Sequence, residues 1–495
     1  MVTATQTAAA APTISPTQSE APAVARVKPR GRFSLPGLGR RWRSDFAHSS
    51  ATELRRPRIL FVNQYYWPDH ASTAQHLTDL CESLAEQGFE VHVLCSRGAY
   101  LGKDQKQERS PRREIRNGVH IHRVWATALG RRSTWARMTD YLSYYAQAMV
   151  KSALMKRFDV VTTLTTPPII GLTGTMLRWL KRSKHVYWSM DLHPDASFAL
   201  GRMSPRNPLF AALGWLSDLV YRNADRVVTL GPYMSERILA KRALPDRIAE
   251  VPVWSRRDEI YPMPREGHPL RSELGLESKF VVMYSGNLGL AHTFDEFLEA
   301  ARKLRNRDDI VFLFVGGGPR LKEVREAKDR DGLDNVRILD YFPREQLHIS
   351  LSVADVHLIS MRPEMTGIVV PGKLYGIMAS CRPALFVGPD RCESADAIAQ
   401  ANCGRVLPIG DAEGVASTIT EWAARPELVR TLGANGRAAF LDWHERDVCC
   451  RQWGDLLKKL VGMPATAAQT TLSPSPPAAA RSERPLAAIS AVSGS

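Results

Sequence analysis

Val369-Val370-Pro371-Gly372-Lys373-Leu374-Tyr375-Gly376-Ile377-Met378-Ala379-Ser380 is the stretch around which the rest of the chain is organised. It follows an apolar run, Asp355-Val356-His357-Leu358-Ile359-Ser360, and a short polar loop, and it leads into a second run, Pro383-Ala384-Leu385-Phe386-Val387-Gly388. Short apolar runs on either side of a helix-length segment are the pattern of buried parallel strands joined by a crossover helix. Pro and Gly at the loop-to-helix junction leave N–H groups and the positive end of the helix dipole pointing out of the sheet. Lys373 then falls in the first helical turn, where a cation is intrinsically disfavoured. An approaching anion, such as a diphosphate, would resolve that conflict; the plain alternative is a solvated surface lysine.

Upstream of this stretch the same pattern repeats. Phe280-Val281-Val282-Met283-Tyr284 is a strand, followed by the loop Ser285-Gly286-Asn287-Leu288-Gly289 and a helix from about Thr293. Val311-Phe312-Leu313-Phe314-Val315 leads into Gly316-Gly317-Gly318-Pro319, and Val336-Arg337-Ile338-Leu339 into Asp340-Tyr341-Phe342-Pro343. A first set of βαβ units precedes them. It begins with Arg58-Ile59-Leu60-Phe61-Val62-Asn63 and continues through 91–95, 119–124, a long helix over 134–156, 160–164, 186–191 and 226–230. The expected architecture is α/β, with two Rossmann-like halves facing across a cleft. The expected boundaries are a disordered tail over 1–56, a first domain over 57–253 and a linker over 254–268. A second domain covers 269–440, a C-terminal helix over 441–462 packs back on the first domain, and 463–495 form a second disordered tail.

The chain has 495 residues, 44% of them hydrophobic and 24% charged, which suits two soluble cores. The net charge of +15 points to phosphate-bearing partners. Part of that excess sits in the tail (Arg26, Lys28, Arg30, Arg32, Arg40, Arg41, Arg43), so nucleic acid is not expected as a partner. Seven scattered cysteines without metal-ligand spacing imply neither a disulfide framework nor a bound metal. No signal peptide is visible. The uncharged run over 160–177 is Thr-rich and broken by Pro167-Pro168, and is expected to be strand, turn and helix rather than a membrane span. A cytoplasmic protein is expected, with peripheral association at the membrane face. The segment Arg131-Arg132-Ser133-Thr134-Trp135-Ala136-Arg137 and the helix around Leu209–216 are candidates for that contact, against ordinary packing.

In open α/β sheets ligands lie beyond the carboxyl ends of the strands. Gly286, Asn287 and Gly289, with Gly317, Gly367, Pro371 and Lys373, outline a nucleotide diphosphate site there; tight turns are the competing explanation for the glycines. Glu364 is placed to reach sugar hydroxyls. Tyr341 and Phe342 are candidates for stacking a nucleobase, or form a buried aromatic pair. Asp191 and His193 close a strand of the first half, where a carboxylate or imidazole orients or deprotonates an attacking hydroxyl. Ser72 and Thr166 line the same edge on the acceptor side.

These residues resemble the retaining glycosyltransferases of family 4, which have the GT-B fold. The likeness rests on the first strand with its Tyr65-Tyr66-Trp67-Pro68 loop, Thr166-Pro167-Pro168, Asp191 with Pro194, the 285–289 loop and the 369–376 stretch. It covers roughly 57–462 and is nearest to the WbuB-like enzymes of bacterial surface-polysaccharide assembly. The resemblance implies a nucleotide-sugar donor, a glycan or polyprenyl-lipid-linked acceptor, retention of anomeric configuration and no metal requirement. It also implies phosphate contacts from Gly286, Asn287 and Lys373, with Asp191 facing sugar and acceptor. Many relatives carry two glutamates with seven residues between them, and here Ile368 and Gly376 stand at those positions, leaving the ribose contact unassigned. Gly372 replaces a serine usual in that branch. The competing expectations are a sugar-nucleotide 2-epimerase and a non-catalytic partner that keeps the cleft.

Overall fold

In a computed structural model, the described residues are 55–69, 71–97, 110–127, 129, 134–204, 206–241 and 243–464. The tails over 1–54 and 465–495 and the basic residues at 131–133 lie outside them. The short apolar runs form two sheets. The first contains β1 (Arg58–Val62), β2 (Glu90–Ser96), β3 (Arg113–Arg116), β4 (Val119–Val124), β5 (Val160–Thr163), β6 (Lys184–Trp188), β7 (Arg226–Thr229) and β8 (Ile248–Glu250). Its order is β3-β4-β2-β1-β5-β6-β7-β8, parallel throughout except for the antiparallel β3 edge. Alternation across β1 explains its unbroken apolar sequence. Ile59 and Phe61 pack under helix α1 (Ser72–Glu86), whereas Leu60 and Val62 meet α2 (Thr134–Leu154) and α3 (Gly171–Lys181) on the other face.

The second sheet contains β9 (Phe280–Ser285), β10 (Ile310–Val315), β11 (Val336–Leu339), β12 (Val356–Ser360), β13 (Ala384–Val387) and β14 (Gly404–Leu407), in the order β11-β10-β9-β12-β13-β14. Strand order reverses beside β1 in one sheet and beside β9 in the other, the place where open α/β sheets bind their ligands. A buried ion pair anchors this half from below. Asp355 accepts from Arg271 at 2.6 Å and from the N–H of Val281 at 2.7 Å.

The chain crosses between the halves twice, and the two crossings touch. The N–H of Ser255 donates to His444 O at 3.2 Å, and the N–H of Arg446 donates to Ser255 O at 3.0 Å. The helix Arg446–Leu460 then lies against α1. Gln87 donates to Cys450 O at 3.1 Å, and the Trp453 ring stands 4.8 Å from that of Trp188. Asp79 on α1 gathers both crossings, accepting from Trp254 Nε1 at 3.2 Å and from Arg256 at 3.3 Å, while its carbonyl accepts from Arg446 at 3.4 Å. The uncharged run over 160–177 is divided between β5, a loop and α3, and among the described residues no helix is long and apolar enough to cross a membrane.

Candidate active site

Lys373 opens the helix Lys373–Ala379, which follows β12. Its ammonium is closed off from solvent and has no hydrogen-bond partner. It lies 3.7 Å from the centre of the Tyr284 ring, a cation–π contact that offsets only part of the desolvation. Burial pulls its pKa down to about 7. A buried cation with no counter-ion is a costly arrangement unless an anion completes it.

A glycine turn lies against the ammonium. A Cβ at Gly286 would sit 3.6 Å from the Lys373 nitrogen, so only the bare backbone of this residue separates the ammonium from the loop. At Gly316, with φ +129°, a Cβ would fall 2.3 Å from the Gly286 carbonyl oxygen, so the two turns pack backbone to backbone. The N–H of Leu288 donates to Gly317 O at 2.8 Å, and the Asn287 amide fills the space beside Gly289 and Gly318. The Tyr341 ring lies over Gly316 and Gly317, its hydroxyl donating to Gly317 O at 3.1 Å.

On the first half, the segment after β6 carries Asp191 and His193 and touches the loop that leads into Lys373. The N–H of Leu192 donates to Ile368 O at 3.1 Å, five residues before Lys373. The helix Pro208–Asn223 braces the segment, with Ser217 Oγ donating to His193 O at 2.9 Å. Burial pushes the Asp191 carboxyl up and the His193 imidazole down, while the attraction between the two groups opposes both shifts. Asp191 and His193 thus form an acid–imidazole couple on the first half, and the Lys373 ammonium with its glycine turns lies on the second. Among the described residues no three His, Cys, Asp or Glu side chains converge as metal ligands.

Two family models match the chain: the glycosyl transferase 4-like domain over 71–254 and the glycosyl transferases group 1 over 269–439. The chain belongs to the family-4-like GT-B glycosyltransferases. WbjE of Pseudomonas aeruginosa, named a glycosyltransferase, is 27% identical over 54% of this chain and 66% of its own length. WcaI of Escherichia coli, named a colanic acid biosynthesis glycosyl transferase, is 24% identical over 65% of this chain and 81% of its own. The fold matches sucrose-phosphate synthase from Thermosynechococcus elongatus with a TM-score of 0.65 and 16% identity, over 82% of this chain and all of that one. It also matches Anabaena HepE in complex with UDP and glucose, with a TM-score of 0.61 and 14% identity over the same shares.

The glycosyltransferase does not bring every expected residue to the ammonium. A Cβ at Gly367 would meet the Tyr233 carbonyl oxygen at 2.5 Å, so this glycine serves a contact between the halves. Glu364 is exposed and stands 3.6 Å from Arg362, and Pro371 is buried beneath the turn. Tyr341 is 58% exposed, so the two aromatics do not form a buried pair; Phe342 packs partly against the core. Ser72 is exposed at the start of α1, and the Thr166 carbonyl accepts from the N–H of Gln64 at 2.9 Å. A Cβ at Gly376 would face Ile260, Leu351 and Ser255, so a glutamate there would point into a largely apolar layer at the linker. Ile368 is likewise buried.

Other residues of the enzyme escaped sequence reading. Tyr284 looks like one more core aromatic, yet it supports the ammonium, and its hydroxyl donates to Asn287 O at 3.0 Å. His292 is held neutral: burial, with the charge of Lys373, draws its imidazole down to about 3. Glu393 accepts from the N–H of Met234 at 3.1 Å across the cleft, and burial pushes it up to about 7. Arg237 donates to Thr366 O from the same side. A lysine beside a glycine could be found in the sequence; pairings between residues far apart along the chain could not.

Proposed function

We propose that the enzyme moves a sugar from a nucleoside diphosphate sugar to a lipid-linked or oligosaccharide acceptor, with retention, in the assembly of a cell-surface polysaccharide, as a member of the WbuB-like branch. The observation that carries this is the buried, unpartnered Lys373 ammonium beside the open backbone of Gly286. The UDP complex of HepE and the colanic acid role in the name of WcaI support the donor class and the biosynthetic setting.

In this reading Lys373, Gly286, Asn287, Gly289, Gly317 and the 371–373 turn hold the diphosphate, and Tyr341 and Phe342 flank the base. As the bond from the anomeric carbon to the diphosphate oxygen breaks, negative charge grows on the leaving group, where Lys373 and fixed N–H dipoles meet it. Asp191 and His193 orient the acceptor hydroxyl, which approaches on the leaving-group face. Ser72 and Thr166 border the acceptor, and Glu364 reaches sugar hydroxyls. Protein groups rather than a cation balance the diphosphate, so turnover is expected to survive chelation.

The test is incubation of the full chain with a panel of nucleotide sugars and membrane extract, with the product's anomeric configuration read by NMR. Acceptor-dependent consumption of one donor with retention is the expected result. Inversion, epimerisation of donor without acceptor, or binding without turnover would each overturn this reading.

A further inference from the structure

Two segments of the first half grip the loop that ends at Lys373. One is the turn after β6, where the N–H of Leu192 donates to Ile368 O at 3.1 Å. The other is the helix Pro232–Ala240. A Cβ on Gly367 would fall 2.5 Å from the Tyr233 carbonyl oxygen and 3.1 Å from Arg237 Cδ, so the helix lies directly on the bare backbone. The Arg237 guanidinium donates to Thr366 O. Thr366, Gly367 and Ile368 are thus held in succession through their backbone, and all are buried.

The helix Glu393–Ala401 closes the contact from the second half. The Glu393 carboxylate accepts from the N–H of Met234 at 3.1 Å, in the first turn of the helix Pro232–Ala240, where negative charge is favoured. A Cβ on Gly231 would fall 2.6 Å from Glu393 Cγ, so only a glycine lets the carboxylate approach. The Tyr233 hydroxyl donates to Asp396 at 3.0 Å. Burial lowers the pKa of Arg237, and the charges of Asp195, Glu393 and Glu236 oppose that shift.

The gripped loop governs how dry Lys373 is. Pro371 is buried, and two residues later the ammonium is closed off from solvent. Burial alone opposes its charge. The imidazoles that feel that charge, His292 and His357, are held neutral mainly by burial, at about 3 and about 4, and burial pushes the Tyr284 phenol up. Above pH 6 Lys373 is therefore the group in this cluster that titrates. A loop free to lift would let water reach the ammonium, and its pKa would return toward about 10.4.

We propose that Arg237, with Tyr233 and Glu393, forms a clasp between the halves that positions the 366–373 loop and shields its lysine from water. Arg237 is a positioning residue for the transfer, acting through the loop and not on the diphosphate itself. The inference rests on the diphosphate reading of Lys373.

Calorimetry of the full chain tests it, with whichever of UDP, GDP, ADP and TDP binds the parent, at pH 8.5 in two buffers of different ionisation enthalpy. The parent should take up close to one proton on binding, because its free ammonium is mostly neutral at that pH. In Arg237→Met the loop is released and the lysine is already charged, so uptake should fall below about half a proton and the affinity should stop weakening between pH 7 and 9. Arg237→Lys keeps a donor for Thr366 O and should restore the uptake. A purely structural role would lower the melting temperature and leave the uptake as it is in the parent. Should Arg237→Met fail to fold, Tyr233→Phe removes only the bond to Asp396 and carries the same test, with a smaller loss of uptake expected. Full uptake in the folded variants would overturn the proposal, and so would a loss that Arg237→Lys does not restore. Binding of none of the four nucleotides by the parent would overturn the diphosphate reading, and the clasp's role with it, which tells the two failures apart.

Discussion

Replacing Lys373 with Met removes the charge and the N–H donors while keeping a side chain of similar length. In the unliganded protein this deletes a buried cation without a hydrogen-bond partner, so stability at pH 7 should hold or rise. Binding should move the other way. Losing a charge-assisted contact to a diphosphate costs about 1.5–3 kcal/mol, or roughly ten- to a hundredfold in affinity. The pH dependence is sharper evidence. The free ammonium titrates near 7 because burial disfavours its charge, and a bound diphosphate restores the preference for the protonated form. Affinity should therefore weaken as pH rises from 7, approaching about tenfold per unit, over a range where the phosphate itself is already ionised. Calorimetry at pH 8.5 in two buffers of different ionisation enthalpy should show uptake of close to one proton in the parent and none in Lys373→Met. Equal affinities and a flat pH profile in both proteins would refute the reasoning.

Three further outcomes follow from the packing. Glu393 has a folded pKa of about 7, above its ordinary value, so its contribution to stability is complete below about 4.5 and is lost as pH rises through 7; Glu393→Gln should flatten the fall in melting temperature between pH 5 and 8, and an unchanged slope would count against this carboxyl. Asp355→Ala strands the buried Arg271 and frees the N–H of Val281, and should cost about 3–5 kcal/mol in urea unfolding. Gly316→Ala forces a Cβ toward the Gly286 carbonyl oxygen at a φ that L-residues rarely adopt, and should lower stability by about 2–4 kcal/mol and weaken nucleotide binding, both read in one thermal-shift series.

Most of the architecture was legible because parallel strands covered on both faces must be apolar at every position, as Ile59 to Val62 and Val311 to Val315 are. The antiparallel edge β3 was not, since Arg113–Arg116 is half exposed and reads as a polar loop. Nor was the outermost β14, whose four residues are only partly buried. Within the site, Lys373 stood out because a cation in a first helical turn is locally unfavourable. Gly367 was legible only in part: a loop glycine marks a close approach, but sequence does not reveal what approaches, and here the Tyr233 carbonyl does. The partners of Lys373 and Glu393 arise where separate strands and halves meet, and no local pattern encodes them.

The most direct test of the central claim is a calorimetric titration of the purified full chain with UDP, GDP, ADP and TDP in turn. The account predicts that one of them binds with a dissociation constant from about 1 μM to 1 mM, the usual range for enzyme substrates, and that its affinity drops in Lys373→Met. Binding by none of the four at about 1 mM, or binding indifferent to Lys373, would contradict it.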